Sequence, residues 1–175
     1  MSSSYAEFLE AKRERSHACG IDVADADLGP HLFDFQRKVT RWALYQGRAA
    51  VFAATGTGKT IIELEWARQV GGRILILAPL AVSRQIAREG EKFGVPVTVC
   101  REAEDVSDGI NVANYERLSR FDPTDFVGLV LDESSILKSF DGAFRRDVTL
   151  FGAQIPMRLC ATATPAPNDY TELGN

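Results

Sequence analysis

An α/β fold, with a mostly parallel sheet and helices on both of its faces, follows from three features of the 175-residue chain. Continuous apolar runs such as ILILA (74–78) and LVL (129–131) lack polar alternation, as strands covered on both faces require. Segments with helical spacing separate these runs, so neighbouring strands are joined by crossovers rather than hairpins. A glycine-rich turn, AATGTGKT (Ala53–Thr60), stands between the apolar run AAVFAA and a helical segment. With 45% apolar residues the chain can bury the core of one domain and is too short for two of ordinary size.

Taken in order, residues 1–31 read as an N-terminal extension. Tyr5 to His17 has a helical look with the charged run KRER on a solvated face, and GIDVADADLGPH is a Gly-, Asp- and Pro-rich connector. The domain is expected over 32–175. It opens with a helix from Leu32 that places Phe35, Val39, Trp42 and Ala43 on one face. The strand AAVFAA, the glycine loop and a helix carrying Ile61, Ile62, Leu64, Glu65 and Trp66 follow. Then come RILILAPL as a strand, VSRQIAREGEKFG as a helix, and VPVTVC, INVAN and FVGLVLDE as strands, with MRLCATATP as the last strand. Phe35, Trp42 and Trp66 are expected in the core, and Cys160 as a buried strand residue.

Composition narrows the function. A formal charge of −4 gives no basic field for bulk nucleic-acid binding, so any such contact needs a local patch. Cys19, Cys100 and Cys160 stand far apart, without the spacing of a zinc site, and read as reduced packing residues. No apolar run has the length of a signal-peptide core or a membrane span, so no membrane partner and a cytoplasmic location are expected.

The loop carries the first chemistry. Gly56 and Gly58 let the backbone wind tightly and bring N–H groups against phosphate oxygens, with Thr55 before them and Thr57 between them in the same wrap. Lys59 supplies a point charge for terminal phosphates, and the Thr60 hydroxyl, at a helix start, can take a place on Mg²⁺. Ala53 stands where the G-x-x-x-x-G-K-[ST] pattern has glycine, a position alanine tolerates if φ stays negative.

A second constellation is LVLDESS, an apolar strand ending in Asp132 and Glu133. Ligands of open parallel sheets bind at strand carboxyl ends, which puts both acids on the edge that carries the glycine loop. One acid can hold Mg²⁺ while the other accepts a proton from water attacking a γ-phosphate.

With these pieces placed, the chain from Leu32 to Asn175 resembles the first RecA-like, ATP-binding domain of superfamily-two DEAD/DEAH-box helicases, near the chromatin-remodelling branch and its phage and bacterial relatives. Such helicases commonly write the loop A-x-x-G-x-G-K-T, which accounts for Ala53. The glutamine motif matches LFDFQRKVTRWAL, implying that Gln36 hydrogen-bonds adenine while Arg37 or Phe33 stacks on the base. Motif Ia resembles LAPLAVSRQ and the next nucleic-acid motif VANYERL, which implies nucleic-acid contacts by Arg84, Asn114 and Tyr115. Motif II is DESS rather than DEAD or DEAH, with the acid pair intact. Motif III resembles TATPAPN, with Thr162 and Thr164 on a strand between those of the loop and motif II, placed to relay the γ-phosphate state.

The resemblance implies an ATP- and Mg²⁺-dependent helicase or translocase, with DNA ahead of RNA as its track, in a bacterial or phage-infected cell. It also implies a second RecA-like domain supplying an arginine finger. Nothing in TPAPNDYTELGN or before it can be that domain, so the isolated chain is expected to hydrolyse ATP barely at all. The other reading is a non-catalytic ATP- or nucleic-acid-binding module derived from such a half.

Overall fold

The apolar runs assemble into one six-stranded sheet in the computed structural model, which describes residues 18–138 and 141–165. Its strands are β1 (Arg48–Phe52), β2 (Ile74–Ala78), β3 (Val97–Val99), β4 (Ile110–Asn114), β5 (Gly128–Leu131) and β6 (Met157–Thr162). They lie in the order β1-β6-β5-β2-β4-β3, and every pairing is parallel. The helices are α1 (Asp34–Gln46), α2 (Lys59–Val70), α3 (Ser83–Lys92) and α4 (Gly142–Ala153). The expected helix over Tyr5–His17, and the APN end (166–168) of the TATPAPN stretch, lie outside the described residues.

Successive strand side chains point to opposite faces, so one apolar run feeds two cores. Ile74, Ile76 and Val130 join Leu44, Leu64, Trp66 and Ile86 from α1, α2 and α3 on one face. Leu75, Leu77, Leu129 and Leu131 join Phe151 of α4 and Leu118, Phe121 and Phe126 of the 115–126 segment on the other. All five residues of β2 are buried, as its unbroken hydrophobicity requires. As expected, the strand with Thr162 lies between the loop strand β1 and the Asp132 strand β5.

Three expectations change. Phe35 and Trp42 are 47% and 48% exposed, whereas Trp66 is fully buried. The buried residues of α1 are Gln36, Thr40, Ala43 and Leu44, a continuous stripe at helical spacing that includes two polar side chains. Hydrophobicity alone therefore misplaces the rotation of the helix. Cys160 is only partly covered, while Cys100 is buried, and all three cysteines are free thiols.

The connector is also part of the packed unit. The backbone N–H groups of Cys19, Gly20 and Ile21 donate to the carbonyls of Gln46, Tyr45 and Leu44, and Val23 and Leu28 join the core. Arg41 donates to the Val23 carbonyl, and Arg68 and Gln69 both donate to that of Asp27. Glu65, wholly buried on α2, accepts from the Gly29 N–H at 3.0 Å and from Arg68 and Gln69. Packing thus extends to Cys19, ahead of the boundary read at residue 32. Among the described residues no helix is long and apolar enough to cross a membrane.

Candidate nucleotide site

The glycine loop leaves the sheet one residue later than β1 does. The Ala53 N–H donates to the Thr162 carbonyl at 3.1 Å, continuing the β1–β6 ladder, and Ala53 has no positive φ. An alanine fits there because the backbone is still strand-like. The turn proper is closed by the Thr57 N–H and hydroxyl, both donating to the Ala54 carbonyl. Gly56 and Gly58 have φ of +83° and +80°, a region that costs other residues about 1–2 kcal/mol. A Cβ at Gly58 would stand 2.5 Å from the Gln36 Nε2, whereas one at Gly56 would meet nothing within 4 Å. Lys59 begins α2 and Thr60 follows in its first turn, where N–H groups lack helical acceptors and favour anions. The Lys59 ammonium folds back over the loop, donating to the Ala53 carbonyl at 3.2 Å.

Asp132 and Glu133 leave the end of β5 at the same edge. The Asp132 N–H donates to the Leu77 carbonyl, which holds Asp132 in line with the sheet, and its side chain is buried. Glu133 turns out of the strand with φ of +51°, the one positive φ at a non-glycine among the described residues. That backbone strain, about 1–3 kcal/mol, is held by contacts of the carboxylate. Its Oε1 accepts from the hydroxyls of Thr162 at 2.6 Å, Ser135 at 2.8 Å and Thr164 at 3.4 Å. The Thr164 N–H in turn donates to the Thr162 hydroxyl. Both threonines of the TAT sequence therefore converge on Glu133. Ser135, in the variable half of DESS, joins them, and no role was read for it from the sequence.

The electrostatics separate the acids. Burial alone raises the Glu133 carboxyl, but hydrogen bonds from Thr162 and Ser135, with the Lys59 charge, outweigh it and hold the group below the usual carboxylate range. Asp132 is raised, first by burial and then by the neighbouring Glu133 charge. A third acid, Glu63 of α2, is 1% exposed and lies against Asp132; burial and then the Asp132 charge push its carboxyl well up. Glu63 went unread in the sequence. The available signal was its spacing, since an acid four residues after Lys59 returns to the same helix face.

Mg²⁺ fits this donor set. Thr60 and Asp132 offer oxygen only, as a hard cation requires, and the one ammonium among three carboxyl groups leaves an excess of negative charge. No cluster of three or more His, Cys, Asp or Glu ligands forms among the described residues, so most ligands of such an ion would be water and phosphate.

A cavity of about 440 Å³ adjoins the loop, bounded by Phe33, Phe35, Gln36, Gly58, Ile61 and Phe93. Gln36 is 3% exposed; its Oε1 accepts from the Phe33 N–H and its Nε2 donates to the Thr57 carbonyl, both at 2.9 Å. The amide thus locks the start of α1 to the glycine loop. Phe33 is 70% exposed and its ring lies nearly parallel to that of Phe35, with centroids 6.4 Å apart. Arg37, read as an alternative base platform, donates instead to the carbonyls of Asp25 and Gly29. Phe33 and Phe35, with Phe93 and His31, are aromatic side chains that line this cavity.

The residues read as nucleic-acid contacts divide. Arg84 and Asn114 line a second cavity of about 470 Å³, together with Ser83, Arg101 and Arg117. Asn114 Oδ1 and Ser83 Oγ are buried there without a hydrogen-bond partner. Tyr115 belongs elsewhere: it is 2% exposed, and its hydroxyl donates to the Asp132 carbonyl at 2.8 Å, so its ring is part of the core beneath the acids. Arg101 and Arg117 come from the connections after β3 and β4, and only the pairing of those strands brings them beside Arg84. Glu102 pairs with Arg117 at 3.2 Å and also with Arg120.

No protein-family model matches the sequence, and no curated protein matches it significantly. Solved structures do. The UvsW helicase of bacteriophage T4 superposes with a TM-score of 0.67 at 13% identity, covering 99% of this chain and 65% of its own. The Sulfolobus solfataricus SWI2/SNF2 ATPase core, solved in complex with dsDNA, gives a TM-score of 0.67 at 18% identity over 86% of this chain and 36% of its own. The Pyrococcus furiosus Hef helicase domain gives 0.63 at 18% identity over 80% and 34%. The chain spans between about a third and two thirds of the structures it matches. Its parallel sheet, its strand order and these likenesses together give the chain the RecA-like α/β fold found in helicase motor domains.

Proposed function

We propose that the chain is the ATP-binding half of an ATP-driven nucleic-acid helicase or translocase. The observation that supports this best is the convergence of Lys59, Asp132, Glu133 and Thr162 at one sheet edge beside a loop with two left-handed glycines. In this reading the loop N–H groups and Lys59 hold the phosphates, and the adenine enters the cavity at Phe33, Phe35 and Gln36. Thr60 and Asp132 hold Mg²⁺, which supplies charge neutralisation at the β- and γ-phosphates. Glu133, kept anionic by its hydroxyl donors and by Lys59, accepts a proton from the water that attacks the γ-phosphate. Thr162 and Thr164 bond to that carboxylate, so a change in γ-phosphate contacts at Glu133 passes directly to β6.

Nucleic acid is assigned to the cavity of Arg84, Arg101 and Arg117, whose guanidinium groups suit a phosphate backbone. A DNA track is favoured by the likeness to an ATPase core solved with dsDNA. A second RecA-like domain would supply the arginine finger, an element typically worth about 10³ to 10⁵ in rate.

The test is phosphate release by this chain and by a protein extended through a second domain, each with and without DNA, alongside binding of a labelled ATP analogue. The reading expects ATP binding by both and DNA-stimulated turnover by the longer one alone. Failure of the chain to bind ATP would overturn it, and binding without turnover in the two-domain protein would leave only a non-catalytic module.

A further inference from the structure

We propose that Glu102 limits how tightly the surface of Arg84, Arg101 and Arg117 holds nucleic acid: its carboxylate occupies Arg117 and Arg120, and a backbone phosphate reaches them only in competition with it. The inference rests on the nucleic-acid reading above.

Glu102 stands in the connection after β3, on a turn that its own backbone bonds hold. The N–H groups of Arg101 and Glu102 donate to one Asp105 carboxylate oxygen, at 2.8 Å and 3.1 Å, and the Cys100 thiol donates to the Asp105 carbonyl. From this turn the Glu102 carboxylate reaches the segment after β4. Its Oε1 accepts from Arg117 Nη1 at 3.2 Å, and its Oε2 accepts from Arg120 Nη1. Arg117 Nη1 also donates to the Arg101 carbonyl at 3.0 Å. Each arginine thus meets the carboxylate through a single nitrogen, short of the two-point fork that a guanidinium makes with a carboxylate or a phosphate. The other guanidinium nitrogens have no acceptor among the described contacts, and they are what a phosphate would take.

Stability of the fold does not call for this acid. The side chains of Arg117, Glu102 and Arg120 are 34%, 44% and 52% exposed, and ion pairs this open to water add little. Its effect falls on the cavity, which three arginines line and no Asp or Glu does. A phosphate that reaches Arg117 meets a guanidinium already shared with a carboxylate, and it faces that negative charge as well. At about 4–8 Å in water, one unit of like charge is worth about two- to sixfold in affinity. A surface that passes a strand along must release each phosphate it takes, and Glu102 is a resident anion that takes the arginine back.

The experiment titrates fluorescein-labelled DNA, single-stranded and duplex, with wild type, E102Q, R84Q and D108N, and follows anisotropy from about 50 to 200 mM salt. Glutamine keeps the shape of Glu102 and one acceptor for the arginines while removing the charge. With the DNA form that wild type prefers, E102Q should bind about two- to sixfold tighter at low salt, with a steeper fall of log K against log salt. D108N makes the same change in net charge beside Arg73, ahead of β4, whereas Asn114 at the cavity ends that strand. That strand is about 16 Å long against a Debye length of about 10 Å at 0.1 M salt, so D108N should match wild type there. R84Q should weaken binding. Unchanged or weaker binding by E102Q while R84Q loses affinity, or an equal gain in D108N, would overturn the proposal and leave the nucleic-acid surface intact. No DNA binding by wild type, or binding by R84Q as tight as that of wild type, would overturn the surface reading and the proposal with it.

Discussion

Gly58→Ala isolates what the glycine loop contributes, because the structure separates its cost into two parts. The backbone part is the left-handed φ of +80°, about 1–2 kcal/mol for any residue with a Cβ. The steric part is specific: the new methyl would stand 2.5 Å from the Gln36 Nε2, closer than any real contact, so the amide must move and its bond to the Thr57 carbonyl is lost. That bond is worth about 0.5–1.5 kcal/mol, giving a total of about 1.5–3.5 kcal/mol against the loop conformation that wraps phosphate. At about 1.4 kcal/mol per tenfold, ATP affinity should fall between about tenfold and three hundredfold. Gly56→Ala has a similar φ of +83° and open space around its Cβ, so it should bear only the backbone cost. The assay is titration of a labelled ATP analogue against both variants, Gln36→Ala, and the Gln36→Ala/Gly58→Ala double variant. Removing the amide makes room for the methyl, so the pair should couple by about 0.5–1.5 kcal/mol. Zero coupling, with Gly56→Ala as harmful as Gly58→Ala, would refute the reasoning that Gln36 and the loop form one unit.

Lys59→Ala should weaken binding of the same analogue by about 1.5–3 kcal/mol, the range of hydrogen bonds to charged groups, and equal affinities would remove Lys59 from the phosphate site. In a protein containing both domains, Glu133→Gln should retain ATP binding and lower turnover by about 10² to 10⁴, since an amide still accepts from Thr162 but cannot take a proton; unchanged steady-state turnover would exclude Glu133 as the base. Tyr115→Phe should cost about 1–3 kcal/mol by orphaning the buried Asp132 carbonyl. A lowered melting temperature without selective loss of DNA affinity is expected, and the opposite pattern would return Tyr115 to the nucleic-acid surface. Burial alone raises the Glu65 carboxyl, but hydrogen bonds from Arg68, Gln69 and Gly29 outweigh it and leave it lowered in the fold. A lowered carboxyl stabilises above its unfolded value near about 4.3, and that stability is lost as pH falls through the folded value. The melting-temperature gap between wild type and Glu65→Gln should therefore narrow as the solution is acidified, and a gap independent of pH would contradict this.

Features that depend on a short stretch of backbone were legible in the amino-acid order. A glycine pair that must take positive φ, a lysine and threonine opening a helix, and an apolar strand ending in two acids each state a local requirement, and the structure places all of them at one edge. Unbroken apolar runs likewise implied a sheet covered on both faces, because only burial on both sides tolerates ILILA. Side-chain destinations set by long-range packing were not legible in that way. The position of Phe35 and Trp42 depends on the rotation of α1, which is set by the Gln36 amide reaching the loop 21 residues away. Tyr115 was read outward from its motif neighbours, yet its hydroxyl found a buried carbonyl on β5's end, a partner that exists only once β4, β2 and β5 are aligned. Arg101 and Arg117 became one patch with Arg84 through strand pairing, and Glu63 met Asp132 because a helix from one end of the sheet order packs across to the strand at its centre. Local geometry is written residue by residue, while these contacts are fixed only when distant segments exclude water together, so tertiary structure alone decides which acids, arginines and aromatics share a site.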